Sequence, residues 1–418
     1  MNLIPGFATK ETTKPSPNSL GRVFETRRRE LYPEGPYVTP VGFGSYRVGF
    51  GKVYNYPDCE NALQYSLEQG LNLIDTSTNY GHGQSELLIG KMMKKFIDEK
   101  KLSRENIVVV SKVGYLQGPN LEIAKIREKE GNPFPEISKF GQDTWHCIHP
   151  SFIFDQVERS RTRLGLETID VFLLHNPEYM LKKFELDGMN LSEAKELFYS
   201  RVKESFVALE KLVQENKIKC YGVSSNNLGA PQDDFAEVSI TKLHEIAQSV
   251  SLNHSFKVVQ MPFNWLEVSP LFYEIEDTGH STISYAHAHG IGVMLNRPFN
   301  SMFNDGLVRL TRPQFTLDEI KNFDEAMLKG FENWSNLAKD LEKIAEKQME
   351  LQPGYHGAPL SQLVLTTLSW IQGVSCVLCG MRKINYVQDA QQALQRPALP
   401  YAKNILKGIY ENLEFHYE

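Results

Sequence analysis

Four side chains that are capable of acid–base chemistry or charge pairing occur in the first half of the sequence, each shortly after an apolar run. Asp75 ends a short apolar run, Tyr80 follows five residues later in a glycine-containing loop, Lys112 follows a β-branched run, and His175 follows another apolar run. A phenol has an ordinary pKa of about 10, and a neighbouring cation stabilises the phenolate and lowers that pKa. We expect Lys112 to supply the cation and Asp75 to keep the ammonium charged and oriented.

His175 completes this set because it can donate a hydrogen bond to a substrate oxygen. The four residues suit the delivery of a proton to a carbonyl oxygen while a bound cofactor delivers hydride to the carbon. The plainer alternative is a structural ion pair between Asp75 and Lys112, with Tyr80 as a loop aromatic.

Eight strand-like apolar segments alternate with amphipathic, helix-like segments, which predicts an α/β fold. The predicted strands are 41–46, 73–75, 107–110, 170–174, 219–223, 258–260, 292–295 and 375–379. No change in composition separates two domains, so a single (β/α)8 TIM barrel with long loop insertions on its C-terminal face is favoured. A doubly wound sheet is the alternative, but its glycine-rich phosphate fingerprint is absent after the first strand.

The barrel places six polar side chains at or just after the C-terminal ends of its strands, on the face where such barrels do chemistry. These are Asp75, Lys112, His175, Ser224, Gln260 and Asn296. Their coincidence on one face carries more weight than any single residue.

The chain divides into an N-terminal arm, 1–36, and a barrel domain, 37–418. The arm is polar and has no apolar core of a secretory signal, so we expect it to be disordered. Insertions at about 115–150, 178–194 and 299–358 each follow a strand and should rise over the catalytic face. They predict a deep, partly covered pocket, whose candidate wall residues are Phe140, Trp145, Tyr179, Phe299 and Phe303.

Composition narrows the class of partners. The chain has 418 residues, 41% of them hydrophobic, and a net charge of −6 without a basic stripe, which excludes a nucleic-acid footprint and a binding site for acidic membranes. No apolar stretch is long enough for a transmembrane helix. Five cysteines indicate a reducing, cytoplasmic location, and no metal-binding motif is present, so no metal is expected. The oligomeric state cannot be read from the sequence.

The order and spacing of these motifs resemble those of the aldo-keto reductases, which are NAD(P)H-dependent (β/α)8 barrel enzymes. The resemblance covers roughly residues 41–390 and is carried by Asp75-x4-Tyr80, Ser111-Lys112, Leu173-Leu-His175 and Gly222-Val-Ser-Ser-Asn226. It implies that Tyr80 is the general acid/base, that Lys112 and Asp75 tune it, and that His175 orients the carbonyl.

The same resemblance implies a cofactor site. Ser224, Ser225 and Gln260 would bind the nicotinamide amide, and Asn296 and Arg297 occupy the place where many members stack an aromatic side chain on the nicotinamide ring. The remaining implied cofactor contacts are Ser45, Tyr46, Asp75, Gly380 and Arg382. Arg382 lies in the segment that usually meets the adenosine 2′-phosphate, which favours NADP(H) over NAD(H).

The leading hypothesis is therefore an oxidoreductase that reduces an aldehyde or ketone, or oxidises the matching alcohol. A cofactor-binding sensor or regulatory subunit on the same barrel is the alternative from another class. A lyase that uses Lys112 as a Schiff-base nucleophile is a third. A small carbonyl or alcohol compound is the expected binding partner.

Overall fold

The computed structural model describes residues 3–15, 22–48, 56–303, 306–312, 320–349 and 354–417. Eight parallel strands form a closed barrel in which each strand pairs with its neighbours in chain order and the last pairs with the first. The strands are β1 (Val41–Gly44), β2 (Leu73–Asp75), β3 (Val108–Val113), β4 (Ile169–His175), β5 (Ile218–Ser224), β6 (Phe256–Pro262), β7 (Gly292–Asn296) and β8 (Val374–Gly380). The predicted (β/α)8 architecture is confirmed.

The strand register brings the polar residues at the strand ends to one level of the barrel. Asp75 pairs with Gly44 of β1 and with Val110 of β3, and Ser224 pairs with both His175 and Gln260. Strands buried on both faces read as continuous apolar runs, which is why their sequence signal is strong. The C-terminal strand ends therefore converge on one rim, as expected from the sequence.

One glycine is required where β5 approaches β6. A Cβ atom at Gly222 would lie 1.7 Å from the carbonyl oxygen of Val258, so any larger residue would push the two strands apart. Only a residue without a side chain permits this spacing, which keeps Ser224 close to Gln260 at the rim.

A helix from each strand–helix unit packs outside the barrel. These helices are α1 (Tyr56–Glu68), α2 (Gln84–Asp98), α3 (Pro150–Leu164), α4 (Leu191–Gln214), α5 (Ile240–Val250), α6 (Thr282–Ala288), α7 (Leu360–Ser369) and α8 (Ile384–Gln395). A further helix, Ala402–Tyr417, follows α8. Along the described ranges, no helix combines the length and apolar character needed to cross a bilayer.

The three insertions fold into small elements above the rim. The first contains a helix, Pro119–Lys129, and a three-stranded sheet, and the second contains the helix Tyr179–Leu186. The strands of the small sheet are Tyr115–Leu116, Ser138–Phe140 and Thr144–His146. The third contains a hairpin, Asn300–Phe303 with Gly306–Arg309, and the helix Glu325–Met349, which we call the insertion helix.

Shorter elements complete the described chain. Two 3₁₀ turns (Tyr80–Gly83 and Arg104–Asn106), three short helices (Lys10–Thr13, Val23–Thr26 and Ser269–Phe272) and two hairpins (Arg29–Glu30 with Tyr37–Val38, and Glu274–Ile275 with His280–Ser281) connect or flank the barrel units. Cys376 and Cys379 lie in β8 and are buried, in keeping with an apolar strand.

The expectation that the arm is disordered is wrong for its described part. The backbone N–H of Ala8 donates to Asp170 Oδ1 at 2.7 Å, and Asp170 Oδ2 accepts from Arg104 at 2.7 Å, both in a buried setting. Ile4 bridges to Leu166, and the arm carries the short helix Lys10–Thr13. The polar composition of the arm suggested disorder, but a few specific hydrogen bonds, rather than a large buried apolar area, hold this segment. The division of the chain after residue 36 stays a prediction.

Candidate active site

A buried ion pair lies at the centre of the rim. Lys112 Nζ donates to Asp75 Oδ2 at 2.7 Å, to the carbonyl oxygen of Thr76 at 2.8 Å and to Tyr80 Oη at 3.2 Å. The same ammonium lies 4.8 Å from the centre of the Tyr80 ring. Three of the four predicted catalytic residues are thus in direct contact through one nitrogen atom.

The loop after β2 aligns Tyr80 with Lys112 because it continues the ladder to β3. The N–H of Thr76 donates to the carbonyl of Val110 at 2.8 Å, and the N–H of Thr78 donates to that of Lys112 at 3.2 Å. Residues 81–83 then adopt positive φ angles of 55°, 56° and 90°, and α2 begins immediately afterwards. Glycine at two of these three positions makes this turn accessible.

The side chains of the ion pair are removed from water. Lys112 is fully buried and Asp75 is 4% exposed. Burial raises the pKa of the Asp75 carboxyl and lowers the pKa of the Lys112 ammonium, while the attraction between the two groups opposes both shifts. A buried pair is stable only when further hydrogen bonds satisfy it, and Thr76, Tyr80 and Gln260 supply those bonds.

Tyr80 holds its proton more firmly than the sequence suggested. Burial raises its pKa well above the ordinary value for a phenol, and the charge of Asp75 raises it further. The expectation of a lowered pKa is wrong, because burial penalises the phenolate and the charge of Asp75 offsets that of Lys112. Tyr80 is therefore a neutral phenol, the form that can donate a proton.

His175 faces Tyr80 across the floor of the site. The two rings meet edge to face with centres 5.9 Å apart. Burial lowers the pKa of His175 well below its ordinary value, and the charge of Lys112 adds to the shift. Its Nδ1 lies 3.0 Å from Ser77 Oγ, and its backbone carbonyl accepts a 2.7 Å hydrogen bond from His146 Nε2. A neutral imidazole beside a neutral phenol can hold a carbonyl oxygen.

An amide network joins the ion pair to the other half of the rim. Gln260 Nε2 donates to Asp75 Oδ1 at 2.8 Å. Gln260 Oε1 accepts from Ser224 Oγ at 3.0 Å and from Asn296 Nδ2 at 3.2 Å. Residues at the ends of β2, β5, β6 and β7 are therefore linked by hydrogen bonds.

These groups open into a cavity of about 1540 Å³. All three insertions contribute to its wall, through Thr144 of the first, Tyr179 of the second, and Phe299 and Trp334 of the third. The predicted deep, partly covered pocket is present. Phe140 packs against Tyr179 at 5.1 Å and Trp145 is buried, so neither lines the cavity, and the side chain of Phe303 lies outside the described part of the chain.

The cavity has two halves that differ in charge. The half formed after β5 to β8 is lined by five cationic residues and three carboxylates: Arg297, Arg309, Arg312, Arg382 and Lys383, with Glu342, Glu346 and Asp389. The half formed after β1 to β4 includes the amides of Asn79, Gln117 and Asn176. Besides Asp75, its charged residues are two cations and two carboxylates, which balance: Arg47 and Lys125, with Glu122 and Asp143. A dinucleotide carries phosphates, so its charge matches the first half.

Most of the predicted cofactor residues reach this cavity. Those that line it are Tyr46, Asp75, Ser224, Gln260, Asn296, Arg297, Gly380 and Arg382. Two predicted contacts lie behind the wall instead: Ser45 Oγ donates to the carbonyl of Asp75 at 2.7 Å, and Ser225 Oγ accepts from the N–H of Asn227 at 3.0 Å. Both serine side chains are buried and engaged in shaping the rim.

Two residues that the sequence did not single out support the site. Ser77 contacts His175, as described above, and lies midway between Asp75 and Tyr80 in the motif. Glu178 is fully buried, and its Oε1 accepts from the N–H of Asn226 at 3.0 Å, which fixes the loop after β5. Burial raises the pKa of this carboxyl. Its position three residues after His175 is the feature of the sequence that could have pointed to Glu178 as part of the site.

Comparison with known proteins identifies the family. The family model described as "Aldo/keto reductase family" matches residues 40–410. The chain belongs to the aldo/keto reductase family. It is thus related to NAD(P)-dependent oxidoreductases, and the resemblance found in the sequence motifs is confirmed.

Individual relatives are distant. A probable aldo-keto reductase 1 from Glycine max is 25% identical over 397 residues, which cover 91% of this chain and 87% of that protein. An NADH-specific methylglyoxal reductase from Escherichia coli is 25% identical over 192 residues, which cover 45% of this chain and 48% of that protein. This chain therefore matches less than half of the methylglyoxal reductase.

A solved structure supports the fold. The aldo-keto reductase AKR11C1 from Bacillus halodurans in its holo form superposes with a TM-score of 0.57 at 18% identity, covering 92% of this chain and 96% of that one. At this identity the likeness concerns the fold alone.

The buried histidines predict acid sensitivity. Burial lowers the pKa of His146 to about 4, whereas a histidine in the unfolded chain has a pKa of about 6.5. As pH falls, the unfolded state takes up this proton first, so stability is complete above about pH 6.5 and is lost toward about pH 4, by up to about 3 kcal/mol for this group.

The measurement is urea unfolding at several pH values between about 7 and 4.5. His146→Gln keeps an N–H donor for the His175 carbonyl and should make the decline in unfolding free energy shallower. His287→Gln, at an exposed position on α6, is the matched control and should leave the decline unchanged. Equal slopes for wild type and His146→Gln would contradict the assignment.

Proposed function

We propose that this protein is an NADPH-dependent reductase of an aldehyde or ketone, in which Tyr80 donates the proton. The observation that carries the proposal is the hydrogen-bonded set Asp75–Lys112–Tyr80 at the floor of a large cavity, with the His175 ring beside the phenol. A purely structural ion pair would not require a phenol and an imidazole facing the same space.

The chain's own groups provide binding, orientation and proton delivery. Tyr80 Oη and the His175 ring hold the carbonyl oxygen between them, and as charge develops on that oxygen the Tyr80 proton moves onto it. Lys112 then stabilises the phenolate that remains, and Asp75 keeps Lys112 charged. When bound, the nicotinamide group supplies the hydride for the carbonyl carbon.

The residues at the end of β5 to β7 fit a carboxamide-bearing cofactor. Ser224, Gln260 and Asn296 present hydroxyl and amide groups at one level of the rim. Asn296 Oδ1 is buried without a hydrogen-bond partner among the described residues, so it can accept from an amide N–H. Buried polar atoms are normally satisfied, which favours a polar ligand at this place. Ser225 would support the amide contact from behind the wall.

The preference for NADPH rests on the cationic half of the cavity. Arg382 and Lys383 follow β8 and line this half. A guanidinium can bind a phosphate through two parallel hydrogen bonds, which suits the 2′-phosphate that distinguishes NADP(H) from NAD(H). The related E. coli protein is named as NADH-specific, so membership of the family does not decide between NADPH and NADH. The proposed preference for NADPH therefore depends on Arg382 and Lys383.

Tyr80→Phe tests the proton donor. The variant should keep the fold and bind NADPH within about twofold of wild type, while carbonyl reduction falls by at least about a hundredfold, because only the donor is removed. Steady-state reduction and quenching of tryptophan fluorescence by NADPH provide the two measurements. Tyr65→Phe is the control, since Tyr65 lies on α1 and bonds Gln391. Unchanged turnover in Tyr80→Phe would remove the proposed mechanism.

Wild-type protein that binds NADPH but turns over no carbonyl compound would instead support the alternative of a cofactor-binding sensor. No binding of either NADPH or NADH would remove both hypotheses together.

Arg382→Ala tests the cofactor preference. Loss of a charge-assisted phosphate contact should raise the Kd for NADPH by about tenfold to a hundredfold and leave the Kd for NADH nearly unchanged. Fluorescence titration with both nucleotides measures this, and Arg159→Ala on α3 serves as a control for loss of an arginine elsewhere. A parallel loss of affinity for both nucleotides would place Arg382 away from the 2′-phosphate.

The half of the cavity formed after β1 to β4 suggests the type of substrate. Its wall carries amides, phenols and one aliphatic side chain: Asn79, Gln117 and Asn176, Tyr46, Tyr115 and Tyr179, and Leu121. Its two cations, Arg47 and Lys125, are matched by two carboxylates, Glu122 and Asp143. We propose a small, uncharged carbonyl compound that bears hydroxyl groups, since each hydroxyl can gain a hydrogen bond here.

Paired substrates test this proposal. Glyceraldehyde should have a kcat/KM at least about tenfold higher than propanal, because each hydrogen bond contributes about 0.5 to 1.5 kcal/mol. Preference for propanal would overturn the substrate type while leaving the reductase activity intact.

A further inference from the structure

The proton on His175 must lie on one ring nitrogen. A neutral imidazole has one N–H donor and one acceptor, and the hydrogen bond at one nitrogen determines which role the other plays. His175 Nδ1 lies 3.0 Å from Ser77 Oγ, while the residue as a whole is 8% exposed and lines the cavity. The partner of Nδ1 therefore decides what Nε2 offers to a ligand.

Ser77 is the inner end of a chain of polar side chains. It is fully buried, and its Oγ donates a hydrogen bond to Asn79 Oδ1 at 2.7 Å. Asn79 Nδ2 donates to Gln117 Oε1 at 3.1 Å, and Gln117 Nε2 donates to Thr144 Oγ1 at 3.2 Å. This series of hydrogen-bonded side chains runs from the first insertion to His175.

We propose that Ser77 is a positioning residue: a half-turn of the Asn79 amide redirects the Ser77 hydroxyl proton from Asn79 to His175 Nδ1 and so places the proton of His175 on Nε2. The inference rests on the proposed function, in which His175 donates a hydrogen bond to a carbonyl oxygen. Ser77 acts through His175 and not on the substrate.

The chemistry of a carbonyl oxygen requires this arrangement. Such an oxygen has lone pairs and no proton, so an Nε2 lone pair facing it would be repulsive, whereas an Nε2–H is attractive. A hydroxyl carries a single proton, so Ser77 can donate to His175 or to Asn79, but not to both.

Asn79 selects between these two choices. In the structure Oδ1 of Asn79 faces Ser77 and accepts the hydroxyl proton, so Nδ1 of His175 carries the proton of the ring. A half-turn of the amide presents an N–H group at the same place and frees the hydroxyl proton for Nδ1. Gln117 turns with it, because its N–H then donates to the Asn79 oxygen. A chain of amides thus has two directions, and only one prepares His175 for a carbonyl.

Other contacts of His175 do not control its proton. His146 donates to the backbone carbonyl of His175, and Tyr115 packs edge to face against the ring with centres 4.9 Å apart. These contacts hold the ring in place, while Ser77 provides the hydrogen bond at Nδ1.

Nitrogen-15 NMR of the histidine side chains, with His175→Gln used to assign the signal, tests the proposal without turnover. Wild type saturated with NADPH should show His175 with its proton on Nε2. In Asn79→Asp, which keeps the size of the side chain but can only accept, the hydroxyl proton is drawn away and the proton of His175 should move to Nδ1. The same position of the proton in wild type and Asn79→Asp would overturn the inference.

Kinetics provide the second readout. Ser77→Ala and Asn79→Asp should each lower kcat for carbonyl reduction by at least about tenfold, with the Kd for NADPH unchanged. Thr78→Val is the matched control: Thr78 is the buried neighbour of Ser77, and its Oγ1 has no hydrogen-bond partner among the described residues. Full activity in Ser77→Ala would overturn the inference.

The experiment remains decisive if one variant does not fold or if the wild type has no reductase activity. If Ser77→Ala does not fold, the nearly isosteric Asn79→Asp still decides the question through the NMR signal. If wild type reduces no carbonyl compound, the proposed function fails, and the position of the proton on His175 still reports whether Ser77 and Asn79 control it.

Discussion

The buried ion pair between Asp75 and Lys112 is the interaction on which the rest of the structure depends. Removing two charges from water costs several kcal/mol for each ion and is tolerated only when hydrogen bonds satisfy both groups. Here the satisfying groups come from several strand ends: the Thr76 carbonyl and Tyr80 on the lysine side, and Gln260 on the aspartate side. The register of the barrel sets these contacts, so the closed sheet and the site are stabilised by the same bonds.

The ion pair also explains why the neighbouring groups are neutral. Asp75 cancels much of the field of Lys112 at the phenol, and burial then keeps both Tyr80 and His175 in their uncharged forms. In the proposed mechanism, these two neutral groups donate to the negative charge that develops on a substrate oxygen. The insertions contribute to the wall of the cavity above these groups.

The sequence predicted the strands well, because parallel strands buried on both faces must be continuous apolar runs. It also predicted that Asp75, Tyr80, Lys112 and His175 come together, because strand ends of a barrel share one rim. It failed where single contacts decide. The arm is ordered by a backbone hydrogen bond to Asp170 that composition cannot reveal. Ser45 and Ser225 turn away from the cavity because their hydroxyls form hydrogen bonds with backbone groups of the rim.

The direction of the pKa shift of Tyr80 was misjudged because the sequence shows the neighbouring cation but not the degree of burial. Ser77 was missed because it follows β2, whereas its partner His175 ends β4, so their contact is not visible in the sequence.

The protonation state of Tyr80 in the free protein tests the central claim most directly. Tyrosine labelled with carbon-13 at the ring carbon that bears the hydroxyl reports ionisation of each phenol, and Tyr80→Phe assigns the signal. The account predicts that the Tyr80 phenol stays protonated as pH is raised past about 10, the ordinary pKa of tyrosine. Ionisation of Tyr80 between about pH 7 and 9 would contradict it, because the charge of Lys112 would then outweigh both burial and the charge of Asp75 at the phenol.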